Sequence, residues 1–443
     1  MSSEYEIFYP GQYSEEDKKT VEEYKQRLDA VNNRGEIDLQ ALISGTIDPK
    51  TPGLGRRPFG AFECKDYLCQ FDADNYEPDN PLYHDDDYAR AAGFEKRLCI
   101  PLTADKGMFW APMPAPLRDN LVVSNLNHVR YLHKPVYPGD TLYTITDRQD
   151  FVELTPEKGS EYRTFGISGS GRTFNQKGEL VCSGSARTIE SLRRHSNPKE
   201  RNKTHVAVWE CPAWWDLRPR HHYTKDDWDR IKSIWAKETV RGSQPLYWED
   251  VNIGDEAPEF IEGPVSQLDQ IKYHGLGEIG SPSMKKMFED PVESNAFLVD
   301  EYGEYYPANG VGHLEDGRIP GHRPAFYNFM PVHYVMRALN NWIGDKGWIY
   351  GISWRIMNGM PGYEDDIPDF PDPENYIGKV PHLKGRTINT HGMTGDVILV
   401  KTYITGKRRE GGKNYIDLVW WCEAIDGVIY QEGKAILELP SKG

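Results

Sequence analysis

The chain is short of the features that would tie it to a metal, a membrane or a nucleic acid. Its six cysteines, Cys64, Cys69, Cys99, Cys182, Cys211 and Cys422, are scattered through 443 residues, with no C-x-x-C pair and no histidine at zinc-finger spacing. That pattern gives no C-x-x-C redox motif and no zinc-finger signature, and it predicts free thiols buried in a reducing compartment. No apolar run approaches the ~20 residues that a membrane-spanning helix requires. The opening MSSEYEIFYPGQYSEED has neither the basic stretch nor the apolar core of a secretory signal, which predicts a cytoplasmic protein. Basic excess is missing as well. A formal net charge of −16 argues against nonspecific nucleic-acid or anionic-membrane binding, although one local Arg/Lys cluster would suffice for a phosphate-bearing ligand. No G-x-S-x-G elbow occurs, and no G-x-G-x-x-G turn follows a strand, since SGSGRTF lies within a β run. Neither a metal nor a redox cofactor is expected.

What is present is aromatic and β-rich. The 26 tyrosines and 12 tryptophans favour sheets and amphipathic pocket walls over a helical bundle. Near the start, Ser14 can cap a helix in which Val21, Tyr24, Leu28 and Val31 share one face and which Gly35 stops. The stretch Phe59 to Phe71, holding Cys64 and Cys69, reads as strand-like and opens the first globular unit.

A duplication organises the rest. KPVYPGDTLYTITDRQDFVEL and its two following β runs are matched late in the chain by HGMTGDVILVKTYITGKRREGG and its two. Each copy starts at a Gly-Asp turn (Gly139-Asp140, Gly395-Asp396) and turns again at a glycine (Gly178, Gly427). Each then ends in a small-residue Gly-x-Ala (Gly184 to Ala186, Gly433 to Ala435). The offsets, 256 at the first turn and 249 at the second, are nearly constant. Three antiparallel strands per copy need a helix to cover their apolar face. PVHYVMRALNNWIGDKGW supplies it in the second copy through Val332, Val335, Met336, Leu339 and Trp342, and Pro101 to Trp110 is the weaker counterpart in the first. The predicted class is α+β, a double hot-dog of two sheets each wrapped around a central helix. Its expected divisions are a helical extension (1–58), a first half (59–195), a linker (196–245) and a second half (246–443). The linker carries a connecting helix capped by Thr224.

The phrases in order resemble the MaoC-like acyl dehydratases and (R)-specific enoyl-CoA hydratases, in the fused form with a FAS1-type dehydratase N-terminal half. Asp79-Asn80-Pro81-Leu82-Tyr83 with DDDYA and Gly93, the HKPVYPGD turn, and the junction Val240-Arg241-Gly242 with Tyr247-Trp248-Glu249-Asp250-Val251 carry it. In the second half Gly312-His313, Trp342, Gly344-Asp345 and Gly395-Asp396 continue it, so the resemblance runs from about Phe59 to Pro440. It implies reversible addition of water to the 2,3-double bond of an acyl thioester, with coenzyme A entering only as part of the substrate. It also implies a homodimer or higher homo-oligomer, without nucleic-acid or membrane partners.

Such hydration needs a held and deprotonated water, a proton for C2 and a donor for the enolate-like oxygen. The family uses an Asp and a His five residues apart, and Asp79 and His84 have that spacing in DNPLYH. This chain departs from the family phrase D-x-N-P-(I/L)-H. Asp79 directly precedes Asn80, position 78 is proline, and Tyr83 stands where the histidine is expected. The plainer reading makes Asp79 a turn cap and His84 a solvated loop residue. A second constellation comprises His313, Glu315, Asp316, His322, Asn328 and His333, with His313 the alternative catalytic candidate. The family's Asp position is Asn328, whose amide orients but does not deprotonate. Asn80, Tyr83, His322, Tyr327, Asn328 and His333 are the candidate substrate-binding residues. The aromatic second half suits a bulky or cyclic acyl group, though core packing accounts for such residues equally well. Two other functions fit the same fold, acyl-CoA thioester hydrolysis and non-catalytic acyl-CoA binding.

Overall fold

The computed structural model describes residues 15–54, 61–106, 121–153, 164–192, 218–273, 285, 297–299, 305–307, 325–327, 329–356, 376–386, 388 and 390–443. Two helices lead, α1 (Glu15–Asn32) and α2 (Leu39–Ser44). The first half contains β1 (Ala61–Glu63), α3 (Asp66–Tyr76), α4 (Asp86–Ala92), β2 (Leu121–Leu132), β3 (Thr141–Glu153), β4 (Thr164–Phe174) and β5 (Leu180–Leu192). After α5 (Lys225–Trp235) the second half contains β6 (Phe260–Glu262), α6 (Gln267–Tyr273), a small β7–β8 pair (Phe297–Val299, Tyr305–Pro307) and α7 (Met330–Ile343). It ends with β9 (Trp348–Ile356), β10 (Ile398–Glu410), β11 (Lys413–Glu423) and β12 (Ile429–Glu438).

Ten strands form one antiparallel sheet in the order β1-β3-β4-β5-β2-β9-β12-β11-β10-β6. Counted inward from either edge, the order is the same in both halves: short strand, three hairpin-linked strands, inner strand. The halves join where β2 pairs with β9, with His128 opposite Trp354 and Arg130 opposite Ile352. The architecture is the α+β double hot-dog.

The repeated turns do the same work in both copies. The Asp140 carboxylate accepts from Tyr137 N–H, and just after β1 the Cys64 N–H donates to the Asp140 carbonyl while the Gly139 N–H donates to the Cys64 carbonyl. In the second copy Asp396 accepts from Met393 N–H, the Val265 N–H donates to the Asp396 carbonyl, and the Gly395 N–H donates to the Val265 carbonyl. Both glycines have positive φ, 89° and 94°, a conformation that a side chain would strain.

In α7, Val332, Val335, Met336 and Leu339 are buried in one cluster with Trp354, Trp420, Leu418 and Val400, so the second sheet wraps this helix. Burial of four such side chains contributes on the order of 1.5–3 kcal/mol each. In the first half a 3-10 turn spans Pro101–Asp105, and the remainder of the expected helix lies outside the described residues. The apolar face of α1 (Val21, Tyr24, Leu28, Val31) is buried, with Tyr24 edge-on to Phe151 of β3. Thr224 caps α5 in a reciprocal capping box with Asp227.

The stretch after Phe59 differs from its strand-like reading. Only Ala61–Glu63 is extended, and Cys69 sits on α3, where Cys69, Asp72, Ala73 and Tyr76 are buried. Their spacing of three, four and seven residues is helical, and Asp66 in the first turn favours the helix dipole.

Candidate active site

The central helix α7 is not uniformly apolar. His333, Arg337, Asn340 and Asn341 are polar residues on a helix whose every other buried side chain packs into hydrophobic core. The steps from His333 to Arg337 and on to Asn340 put three of them on one face, toward α3 and the loop that follows it.

At the top of this stripe the His333 ring lies on Tyr76, with centroids 4.3 Å apart and planes 19° from parallel. Burial pushes the imidazole pKa down to about 3, so the ring is neutral at physiological pH. The Asp72 carboxylate, one turn before Tyr76, opposes that shift, and the Lys106 ammonium adds to it. Lys106 donates to Asp72 at 2.5 Å, and both side chains are buried. A second layer lies behind them on the inner strands. Arg130 is fully buried, pairs with Asp105 and donates to the Ser185 carbonyl at 2.7 Å. His128 stacks on Trp354 at 4.8 Å with Phe329 edge-on, and burial, with Arg130 nearby, holds its pKa well below the ordinary value. A buried carboxylate–ammonium pair thus lies within electrostatic reach of a neutral imidazole at the start of the central helix. With its pKa held this low the ring is a weak base that can hold a water by hydrogen bonding, and the charges beside it can orient a polar ligand.

Farther down α7 a second cluster forms. The Asn340 amide donates to Glu77 at 2.6 Å and to the Tyr83 hydroxyl at 2.9 Å. Glu77 is 2% exposed, and burial raises its carboxyl pKa to about 8, against the hydrogen bond from Asn340 and the charge of Arg337. A cavity of about 30 Å³ adjoins this cluster, lined by Asn80, Tyr83, Asn340 and Asp345 among apolar neighbours such as Trp348. Asp345 accepts from the Tyr88 hydroxyl at 2.8 Å and so ties α4 to the end of α7.

The structure does not bring Asp79 and His84 together. The Asp79 side chain is 72% exposed and reaches Arg337 at 3.5 Å. The His84 ring turns back to α3: one nitrogen lies 2.8 Å from the Glu77 carbonyl, the other 3.0 Å from the Gln70 amide. A carbonyl only accepts, so Nε2 carries the proton and Nδ1 accepts from Gln70. Five-residue spacing here spans a turn, because Asn80 caps the Leu82 N–H and Pro81 begins a 3-10 turn. The two side chains therefore diverge.

Of the binding candidates, Asn80 and Tyr83 line the small cavity. Tyr327 is buried at the start of α7, stacked on Phe329 at 5.6 Å, and His333 sits one turn on. His313, His322 and Asn328 lie outside the described residues. The sequence reading missed Asp72, Lys106, Glu77, Arg130 and His128. The available signal was the polar triplet His333, Arg337, Asn340 on a buried helix, which demands polar partners. Among the described residues no group of three or more His, Cys, Asp or Glu could hold a metal ion.

No protein-family model matches the chain, and no curated protein matches it. Solved structures resemble it at low identity. A Chloroflexus aurantiacus protein described as a MaoC domain protein dehydratase is 12% identical, covering 88% of this chain and 95% of its own, with a TM-score of 0.47. A MaoC-like dehydratase is 13% identical over 86% of this chain and 98% of its own, TM-score 0.43. A double hotdog-fold protein from Mycobacterium tuberculosis is 10% identical over 86% and 93%, TM-score 0.43. Likeness at this level does not bear on the site.

Proposed function

We propose that the protein is a hydro-lyase of the hydratase/dehydratase type, adding water reversibly across the 2,3-double bond of an acyl thioester. The observation that carries this reading is the buried His333 ring, neutral and flanked by the Asp72 carboxylate at the start of the central helix. Hydration needs a group that holds the water and a carboxylate that can take its proton. It also needs a site from which bulk water is excluded. The MaoC-like phrases of the sequence favour a coenzyme A ester, and the aromatic cluster of Trp354, Phe329 and Tyr327, packed ring on ring in the core beside His128, would suit a bulky or cyclic acyl group. In this reading the neutral His333 ring holds the water, the Asp72 carboxylate takes its proton and passes it to C2 as the hydroxyl adds at C3, and Lys106 fixes Asp72. A homo-oligomer in the cytoplasm belongs to the same proposal.

The test is the purified protein with a panel of enoyl-CoA thioesters, following loss of the conjugated-thioester absorbance. Asp72→Asn and His333→Ala should each lower kcat by on the order of 10²–10⁴. Full activity in both variants would remove the site from this helix. Release of free thiol without loss of the double bond would make the protein a thioesterase instead, and tight binding without turnover an acyl-CoA binder.

A further inference from the structure

Three of the cysteines, remote from one another in sequence, converge in the first half. Cys64 follows β1, Cys69 lies on α3, and Cys99 precedes the Pro101–Asp105 turn, and all three are buried. The Cys99 thiol donates to the Cys69 sulfur across 3.3 Å. Their backbones are anchored independently, Cys69 N–H to Lys65 O within α3, and Cys99 N–H to Val136 O beside the sheet. We propose that Cys69 and Cys99 are a redox pair that closes to a disulfide when the protein meets a peroxide.

The two sulfurs differ in the way such a pair requires. The hydrogen bond from Cys99 is the largest influence lowering the Cys69 pKa, and the Lys106 ammonium acts in the same direction. Burial raises Cys99 well above the ordinary thiol range. Cys69 is therefore the nucleophile and Cys99 the resolving thiol. The Cys69 thiolate attacks one oxygen of hydrogen peroxide, the O–O bond breaks, and a sulfenic acid and hydroxide result. The Cys99 sulfur then forms the S–S bond and displaces the sulfenic hydroxyl, which leaves as water with the Cys99 proton. Two thiols and one peroxide yield one disulfide and two waters, with sulfur oxidised and peroxide oxygen reduced. An S–S bond is about 2 Å, so the sulfurs close by roughly 1.3 Å. Cys64 lies beside Cys99 and competes with Cys69 for it.

The location gives the bond a consequence. Cys69 is three residues before Asp72 on α3, and Cys99 is seven before Lys106, so the disulfide would staple the two segments that the buried Asp72–Lys106 pair already joins. The inference stands on thiol geometry and is independent of the hydratase reading.

The full-length protein, reduced and freed of reductant, is treated with hydrogen peroxide and its thiols are then counted in denaturant. The count should fall from six to four, non-reducing peptide mapping should join the Cys69 and Cys99 peptides, and dithiothreitol should restore six. Cys64→Ser should behave as wild type apart from one thiol fewer, Cys69→Ala should lose no further thiols, and Cys99→Ala should stop at a Cys69 sulfenic acid, trapped with dimedone, without a cross-link. A count that stays at six, a Cys64–Cys99 linkage, or a Cys69 sulfinic acid without a cross-link would overturn the proposal. The wild-type peptide map decides the question even where a variant fails to fold.

Discussion

The His333 imidazole on α7 lies flat against the Tyr76 phenol on α3, one of the contacts that join the central helix of the second half to the first half. Burial in that contact keeps the ring neutral, and neutrality has a cost in acid. The folded pKa is about 3 against an ordinary 6.5, so between those values the unfolded chain binds more protons than the folded one. Stability is therefore full above pH 6.5 and lost as pH falls toward 3. His333→Phe keeps an aromatic ring on Tyr76 and removes the titration. Relative to wild type, it should gain about 2–3 kcal/mol between pH 7 and pH 4.5, read from urea unfolding at the two pH values. Equal acid losses in both proteins would place the sensitivity elsewhere.

Glu77 produces the opposite limb. Its folded pKa is raised to about 8 from 4.5, so the folded state holds a proton that the unfolded chain has released. That contribution is complete below pH 4.5 and disappears as pH climbs through 8. The groups facing it are Asn340, Asn80, Arg337 and Glu238. Glu77→Gln keeps an acceptor for the Asn340 amide and cannot ionise. The variant should lose markedly less stability than wild type between pH 6 and pH 9, by on the order of a few kcal/mol. Parallel unfolding curves at both pH values would show that Glu77 does not titrate as described.

How much of this was legible beforehand follows from how local each signal is. The Gly-Asp turns at Asp140 and Asp396 were readable because their carboxylates act three residues away, on Tyr137 and Met393. The central helix was readable from the spacing of Val332, Val335, Met336 and Leu339. The site was not, because Asp72 and Lys106 lie 34 positions apart and look like ordinary surface charges until α3 packs on α7. The Asp79–His84 spacing misled for the converse reason. In a turn capped by Asn80, sequence separation does not determine where side chains point. Cys69 and Cys99, 30 positions apart, were likewise invisible as a pair.

Two glycines at equivalent places in the duplication are tightly constrained. A Cβ on Gly184 would come within 3.0 Å of the Val129 carbonyl, and one on Gly433 within 3.0 Å of the Ser353 carbonyl. Val129 and Ser353 are themselves partners across the β2–β9 seam. At Gly433 the Trp420 ring adds a second obstacle, so relief requires movement of a fully buried tryptophan. Gly433→Val should therefore cost more than about 2 kcal/mol, with Gly184→Val somewhat milder because its second obstacle is one Arg130 methylene carbon, where Gly433 meets two closer atoms of the Trp420 ring. Guanidinium unfolding of the two variants tests the order, and a neutral Gly433→Val would refute the close approach.

Arg337 carries the strongest electrostatic prediction. Its guanidinium is 9% exposed and sits 2.7 Å from Glu238 and 3.6 Å from Glu262, with the Phe260 ring 5.1 Å away. Burial already raises the Glu262 pKa, and Arg337 is the main influence opposing that rise. Removing the arginine alone leaves the partly exposed Glu238 and Glu262 carboxylates unpaired, at a cost that solvent screening holds below the roughly 3–5 kcal/mol of a fully buried pair. Arg337→Met retains the aliphatic stem and isolates the charge. Glu238→Gln leaves the guanidinium its Glu262 partner and keeps an acceptor for the Asn341 amide, which donates to Glu238 at 3.0 Å. The combined variant should be less damaged than the sum of the two single changes by about 1–3 kcal/mol, because the second change removes the charge that the first leaves unpaired. Strict additivity in a urea-unfolding cycle would mean that the stripe is held by packing and not by its charges.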